Sequence, residues 1–252
     1  VAGSTGMAAS AARAIAAEGG RVFVASRTAD HARALVDDLG GDHGWIAADL
    51  SREDDAHAAV GAAGERFGRI DAVYAVAGIS GRRFGDGPLH EATLEGWRAV
   101  LESNLTSLFL VSRAALRLML EQEPDADGQR GAILAMSSVL ARHPSPRHFA
   151  THAYAASKGG IEALVRAAAA FYAPHGIRVN AIAPSLVATP MSRRAQGDPR
   201  IVAYLGGKQP LASGPIDADA VTAVALHLLS REARLVTGQV IDVDAGWGVS
   251  EG

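Results

Sequence analysis

Six short apolar runs, separated by stretches of helical periodicity, constrain this chain more than any other feature. They are Val22 to Ala25, Trp45 to Ala48, Ala72 to Val76, Ile133 to Met136, Val179 to Ala183 and Val240 to Val243. Strands exposed on one face alternate apolar and polar residues, whereas these runs are nearly continuous, as expected of strands covered on both faces. Between them lie segments such as "LTSLFLVSRAALRLML", in which Leu105, Leu108, Phe109, Leu116 and Met119 recur at helical spacing. Strand and helix in turn imply crossover units, hence an α/β fold: a doubly wound parallel sheet with helices on both faces.

At 252 residues and 48% hydrophobic, the chain can bury a substantial core, and no repeat or low-complexity linker divides it. We therefore expect a single domain over 1–252. A net charge of -3 offers no basic field for nucleic acid. The absence of cysteine removes disulfides, thiolate metal sites and cysteine nucleophiles. No apolar run approaches a membrane span and no signal peptide is visible, which together point to a cytoplasmic protein.

The chain opens on "VAGSTGMAAS", a glycine-containing turn running into a helix. Such a turn normally follows the first, central strand of a doubly wound sheet, of which only Val1 and Ala2 stand here. The chain is thus expected to begin inside the fold, in a sheet of about seven strands. Gly3 and Gly6 would let the backbone approach a pyrophosphate, with Ser4, Thr5 and Met7 leading into a helix whose free N–H groups face the phosphates. A plain capping loop with Ser4 or Thr5 as N-cap is the competing reading of the turn alone. The next strand ends in Ser26, Arg27 and Thr28. A carboxylate at this tip selects NAD, while an arginine accommodates a 2′-phosphate, so the tip points to NADP(H) over NAD(H). A solvated arginine at a helix start is the bland alternative.

In chain order, the glycine turn, "SR" after the second strand, "AADL" at 47–50, "VAGIS" at 76–80, Asn104 in "ESNLTSLFL", "AMSSV" at 135–139, "YAASK" at 154–158, "GIRVNAIAPSLVATPM" and "TGQVIDVDAG" span nearly the whole chain. This ordered set resembles the short-chain dehydrogenase/reductase family, the shorter single-domain branch with a Rossmann-type sheet. The resemblance implies catalytic roles for Ser138, Tyr154 and Lys158, with Asn104 as a fourth member that positions a water. It further implies that Asp49 and Leu50 contact the adenine, that Ala77 and Gly78 form the turn beside the cofactor, and that Pro184, Val187 and Thr189 contact the nicotinamide. Three departures stand out. Ala75 and Val76 occupy positions where the family usually has asparagines, Ser185 replaces its glycine after the loop proline, and Ala2 and Ala8 thin the glycine turn.

Tyr154 and Lys158 have a chemistry independent of family. The chain has two lysines, Lys158 and Lys208, among 24 lysines and arginines, so a lysine at 158 asks for a reason. Four residues apart, the two side chains share one helix face. A free phenol titrates near pH 10, and a neighbouring ammonium favours its phenolate. Lysine also brings three donors on a flexible stem, where arginine brings a planar fork suited to carboxylates and phosphates. The expected activity is hydride transfer between nicotinamide and a ketone or secondary alcohol, with Tyr154 as general acid/base. Reduction of a 3-oxoacyl thioester is the alternative within this chemistry, and a non-catalytic dinucleotide sensor or scaffold the alternative outside it.

Trp45, Trp97 and Trp247 read as packing residues. His143, His148 and His152 sit in a proline-containing loop without a carboxylate between them, so no metal is expected. Residues 186–215, rich in proline and glycine from Met191 onward, read as a substrate lid. Small residues from Ala155 to Ala170 suggest a close helix pairing and a homo-oligomer, most simply a tetramer. Finally, Arg82, Arg83, Arg142, Arg147, Arg193 and Arg194 fall in loops leaving the carboxyl ends of strands. They suggest an electropositive mouth for an anionic substrate, against the alternative that they are solvated surface.

Overall fold

The computed structural model describes residues 1–251. Its strands are β1 (Phe23–Ser26), β2 (Gly44–Ala47), β3 (Ala72–Ala75), β4 (Gly131–Met136), β5 (Ile177–Pro184) and β6 (Val240–Val243), close to the six predicted runs. All pairings are parallel: β1 with β2, and β3, β4, β5 and β6 in that order. Ala2 bridges to both Ala25 and Ala75, joining the two groups into one sheet. Its N–H donates to the Tyr74 carbonyl at 2.9 Å, and the Gly3 N–H donates to the Ala25 carbonyl at 2.8 Å. Val1 and Ala2 thereby occupy the central position where a seventh strand was expected.

Both faces of the sheet are covered because successive strand residues point to opposite sides. Ile133 and Ala135 of β4 pack with Val179 and Ala181 of β5 against helices α3 (Glu53–Phe67), α5 (Ser107–Glu121) and α7 (His152–Tyr172). The alternate residues Leu134, Met136 and Ile182 pack against α1 (Met7–Ala17) and α10 (Ala218–Leu229) on the other face. The remaining helices are α2 (Ala29–Leu39), α4 (Leu94–Leu101), the single turn α6 (Pro146–Phe149), α8 (Arg193–Gln196) and α9 (Pro199–Lys208).

All eight residues of β5 are buried, including two polar ones. Arg178 donates to the carbonyls of Leu228 and Ser230 at 2.6 and 3.0 Å, satisfying the C-terminal end of α10. Asn180 joins the Val236 carbonyl to the Gln239 N–H. Of the apolar residues that recur along this segment, Phe109 lies outside, 44% exposed, with the Arg113 guanidinium 5.1 Å from its ring centre.

The stretch read as a lid folds into α8 and α9. Ile201 and Leu205 of α9 pack with Val139 and Trp247 in a small core of their own. The fully buried Gln209 pins the segment, accepting from the Leu186 N–H at 3.0 Å and donating to the Gly214 carbonyl at 2.7 Å. Of the other tryptophans, Trp45 and Trp97 are 36% and 37% exposed. No helix among the described residues is long and apolar enough to cross a membrane.

Candidate active site

The carboxyl ends of the strands open into a cleft of about 260 Å³. Its walls include Gly3, Ser4, Thr5, Gly6 and Met7 from the first turn, Ser26, Arg27 and Thr28 beyond β1, and Asp49 and Leu50 beyond β2. Ala77, Gly78 and Thr189 also line it, whereas Pro184 and Val187 lie outside its lining. Backbone geometry explains the glycines. Gly3 has φ +124 and Gly6 φ +54, and a Cβ on Gly6 would sit 3.0 Å from Thr189 Cγ2. The competing capping reading fails, because Gly6 itself is the N-cap of α1 and no side chain caps the helix. The Ser4 hydroxyl instead donates to the Ser26 hydroxyl at 2.9 Å, tying the turn to the tip of β1. An uncapped helix N-terminus beneath close-approach glycines fits a pyrophosphate. Arg27 is exposed and makes no ion pair among the described residues, which leaves its fork free at that end of the cleft. Burial raises the Asp49 carboxyl, but hydrogen bonds from Ser51 and the charges of Arg27 and Arg52 leave it below its ordinary value.

A second cavity of about 120 Å³ adjoins the first, with Met191 lining both. Ser138 and Tyr154 share its wall with Leu140, Phe149, Leu186 and Trp247. Ser138 follows the end of β4, and Tyr154 stands in the first turn of α7. Burial pushes the Tyr154 phenol up, partly offset by a hydrogen bond with the Ser138 hydroxyl. Lys158 lies one helical turn on, with Nζ 5.5 Å from the Tyr154 ring centre. It is only 3% exposed and donates to the Met136 carbonyl at 2.6 Å. This enclosure, without a carboxylate partner, lowers the amine to about 7. Desolvation therefore sets the direction for both groups, and the expected depression of the phenol by an ammonium does not act on it in this arrangement.

Asn104 lies in a π-helical turn, Glu102–Thr106, between α4 and α5. Such turns recur at functional sites because the wider turn redirects side chains. Its amide accepts from the Ile79 N–H at 2.7 Å and donates to the Ile79 carbonyl at 3.1 Å and the Ser157 hydroxyl at 3.0 Å. It thus ties the loop after β3 to α7, with one lone pair of Oδ1 left over. A Cβ on Gly78 would come within 2.9 Å of that oxygen, so a larger residue there would displace the clamp.

One acid that no local pattern in the sequence marks has a definite place. Asp86 is 5% exposed and accepts from the Ala153 and Tyr154 N–H groups, both at 3.0 Å. Helix α7 has no side-chain cap of its own and no acid in its first turn. That lack is the only local hint that a distant acceptor serves it. The loop arginines divide. Arg142 is bound to the buried Glu162 at 3.1 Å and also pairs with Asp242, so it does not belong to an open basic mouth. Arg82 and Arg194 line the second cavity, whereas Arg83, Arg147 and Arg193 do not. His148 stacks near Tyr204 at 4.9 Å, and the His152 ring meets the Gly87 carbonyl at 2.8 Å. Among the described residues no group of three His, Cys, Asp or Glu side chains could hold a metal ion.

Known proteins share this architecture. The sequence pattern of the family described as enoyl-(acyl carrier protein) reductase matches residues 1–248. Momilactone A synthase of Oryza sativa subsp. japonica is 36% identical over 255 aligned residues, covering 98% of this chain and 88% of that protein. A short-chain type dehydrogenase/reductase from Mycobacterium ulcerans superposes with TM-score 0.89 at 28% identity, covering 100% of this chain and 89% of its own. The 3-ketoacyl-(acyl-carrier-protein) reductase from Brucella melitensis, solved in complex with NADH, superposes with TM-score 0.87 at 26% identity, over 98% and 96%. A parallel sheet with a glycine turn at its centre, matched from end to end by such proteins, places the chain in the short-chain dehydrogenase/reductase family of oxidoreductases.

Proposed function

We propose that this protein is an NADP(H)-dependent oxidoreductase that interconverts a ketone and a secondary alcohol, with Tyr154 as general acid/base. The observation that carries this reading is the placement of Ser138 and Tyr154 together in the wall of a cavity that adjoins the glycine-lined cleft. When bound, the nicotinamide supplies hydride to the carbonyl carbon, or accepts it in the reverse direction. In reduction, the Ser138 hydroxyl donates a hydrogen bond to the carbonyl oxygen, and the Tyr154 phenol delivers its proton to that oxygen, so one hydride and one proton complete the alcohol. Oxidation returns the proton to Tyr154. An amine titrating at about 7 is suited to replace that proton at neutral pH, which gives Lys158 a relay role. Asn104 holds the loop after β3 against α7 and, through its remaining lone pair, a water on the route to solvent. The preference for NADP(H) rests on Arg27 at the tip of β1; the likeness to a reductase solved with NADH supports the nicotinamide but not the phosphate.

Reduction of a 3-oxoacyl thioester by the same residues is the second reading, favoured by the likeness to a 3-ketoacyl-(acyl-carrier-protein) reductase. The test is steady-state reduction of a carbonyl panel with NADPH and NADH. Tyr154→Phe should abolish turnover while cofactor affinity stays nearly unchanged. A phenylalanine variant that kept most of its activity would overturn the assignment.

A further inference from the structure

We infer that the cavity beside Tyr154 is built for a carboxylate-bearing carbonyl compound, with Arg82 and Arg194 as the pair that binds its carboxylate; the inference rests on the oxidoreductase reading of that cavity.

The two guanidinium groups are the only charges in the lining, which contains no acidic residue. Arg82 is half-buried and has one hydrogen bond, donated to the His148 carbonyl at 3.0 Å. Arg194 has neither a hydrogen-bonded partner nor an ion pair among the described residues. Burial lowers the Arg82 guanidinium below its ordinary value, the charge of Arg194 lowers it further, and Asp86 offsets this least. The Asp86 carboxylate is already engaged by the N–H groups of Ala153 and Tyr154. A half-buried guanidinium and an exposed one therefore share this lining with no acid to pair them, an arrangement that an anion between them would relieve.

The rest of the cavity limits what that anion belongs to. Leu140, Phe149, Leu186 and Trp247 give the cavity that holds the arginines, Ser138 and Tyr154 an apolar wall. The Ser185 hydroxyl lines the same space, buried and without a partner. The resemblance to the family puts a glycine at this position, so the serine adds a polar group that a glycine would lack. A planar carboxylate matches the guanidinium fork with two parallel hydrogen bonds, and an apolar spacer then carries the ketone towards Tyr154. Arg142 is excluded from this role by its ties to Glu162 and Asp242.

The experiment measures binding apart from turnover. Calorimetry with the NADP(H)-loaded protein compares levulinate and para-acetylbenzoate with their primary amides, for the wild type, Arg82→Gln, Arg194→Gln and the double variant. Charge-assisted contacts of this kind should favour at least one acid over its amide by on the order of tenfold or more. That ratio should fall with each single change and approach one in the double variant. Neither acid binding better than its amide in the wild type, or a preference that survives the double change, would overturn the inference. Arg194 makes no internal hydrogen bond, so its variant tests the site even where Arg82→Gln disturbs folding. Turnover by Tyr154→Phe is measured alongside. If that variant stays active while the acid preference follows the arginines, the general-acid reading fails and the anion site stands; a dead variant with no acid preference has the opposite meaning.

Discussion

Replacing Asp86 with alanine should destabilise the protein by about 2–4 kcal/mol, through the helix that carries Tyr154 rather than through the sheet. The carboxylate accepts two backbone N–H groups of the first turn of α7, each at 3.0 Å, from a position 5% exposed. Hydrogen bonds to a charged acceptor contribute about 1.5–3 kcal/mol each, and loss of a helix cap costs about 0.5–2 kcal/mol. Water reaching the freed N–H groups recovers part of the sum, while loss of the negative charge at the positive end of the helix dipole adds to it. Asp86→Asn keeps one acceptor oxygen and replaces the other with a donor, so it should cost about half as much. Urea unfolding at constant slope measures the difference, and the alanine variant should melt roughly 5–15 °C lower. Because one of the two bonded N–H groups belongs to Tyr154 itself, kcat should fall more than KM rises. An alanine variant within about 0.5 kcal/mol of the wild type, or one no worse than the asparagine variant, would refute the reasoning.

Lys158→Met should raise the melting temperature at pH 6 and lose that advantage as the pH climbs from 7 towards 10. Below about 7 the amine is protonated in both states and the fold bears the whole cost of burying it; between there and the ordinary 10.5 only the unfolded chain binds the proton, so the wild type gains up to about 1.4 kcal/mol per pH unit. A difference independent of pH would contradict this account. Arg27→Ala should weaken NADP(H) by roughly tenfold or more with little effect on NAD(H), measured by fluorescence titration, whereas equal losses would remove Arg27 from the 2′-phosphate site. The outer faces of α4, α5 and α7 expose Leu94, Trp97, Phe109, Leu118, Leu120 and Phe171, so light scattering should report a homo-oligomer, most simply a tetramer, and a monomer mass at micromolar concentration would argue against it.

β4 and β5 were legible because burial on both faces writes itself into consecutive residues, whereas β2 and β6 are only partly buried and were legible from their short apolar runs alone. The glycine turn was legible for a similar reason: only glycine adopts the φ values at Gly3 and Gly6 without strain. The helical spacing of Tyr154 and Lys158 put them on one face, which is again a local property. What periodicity could not supply was partnership and burial. Asp86 lies 67 residues before the N–H of Ala153 that it caps, and Arg142 lies 100 residues before the Asp242 that removes it from the mouth. Arg142 and Arg194 read alike in the sequence, and only the tertiary structure decides that one is neutralised and the other faces the cavity beside Tyr154. The same holds for Lys158. A lysine beside a tyrosine reads as an ammonium that acidifies a phenol, but the proton affinity of each depends on how much water the fold removes, and that quantity is set by every segment packed around them.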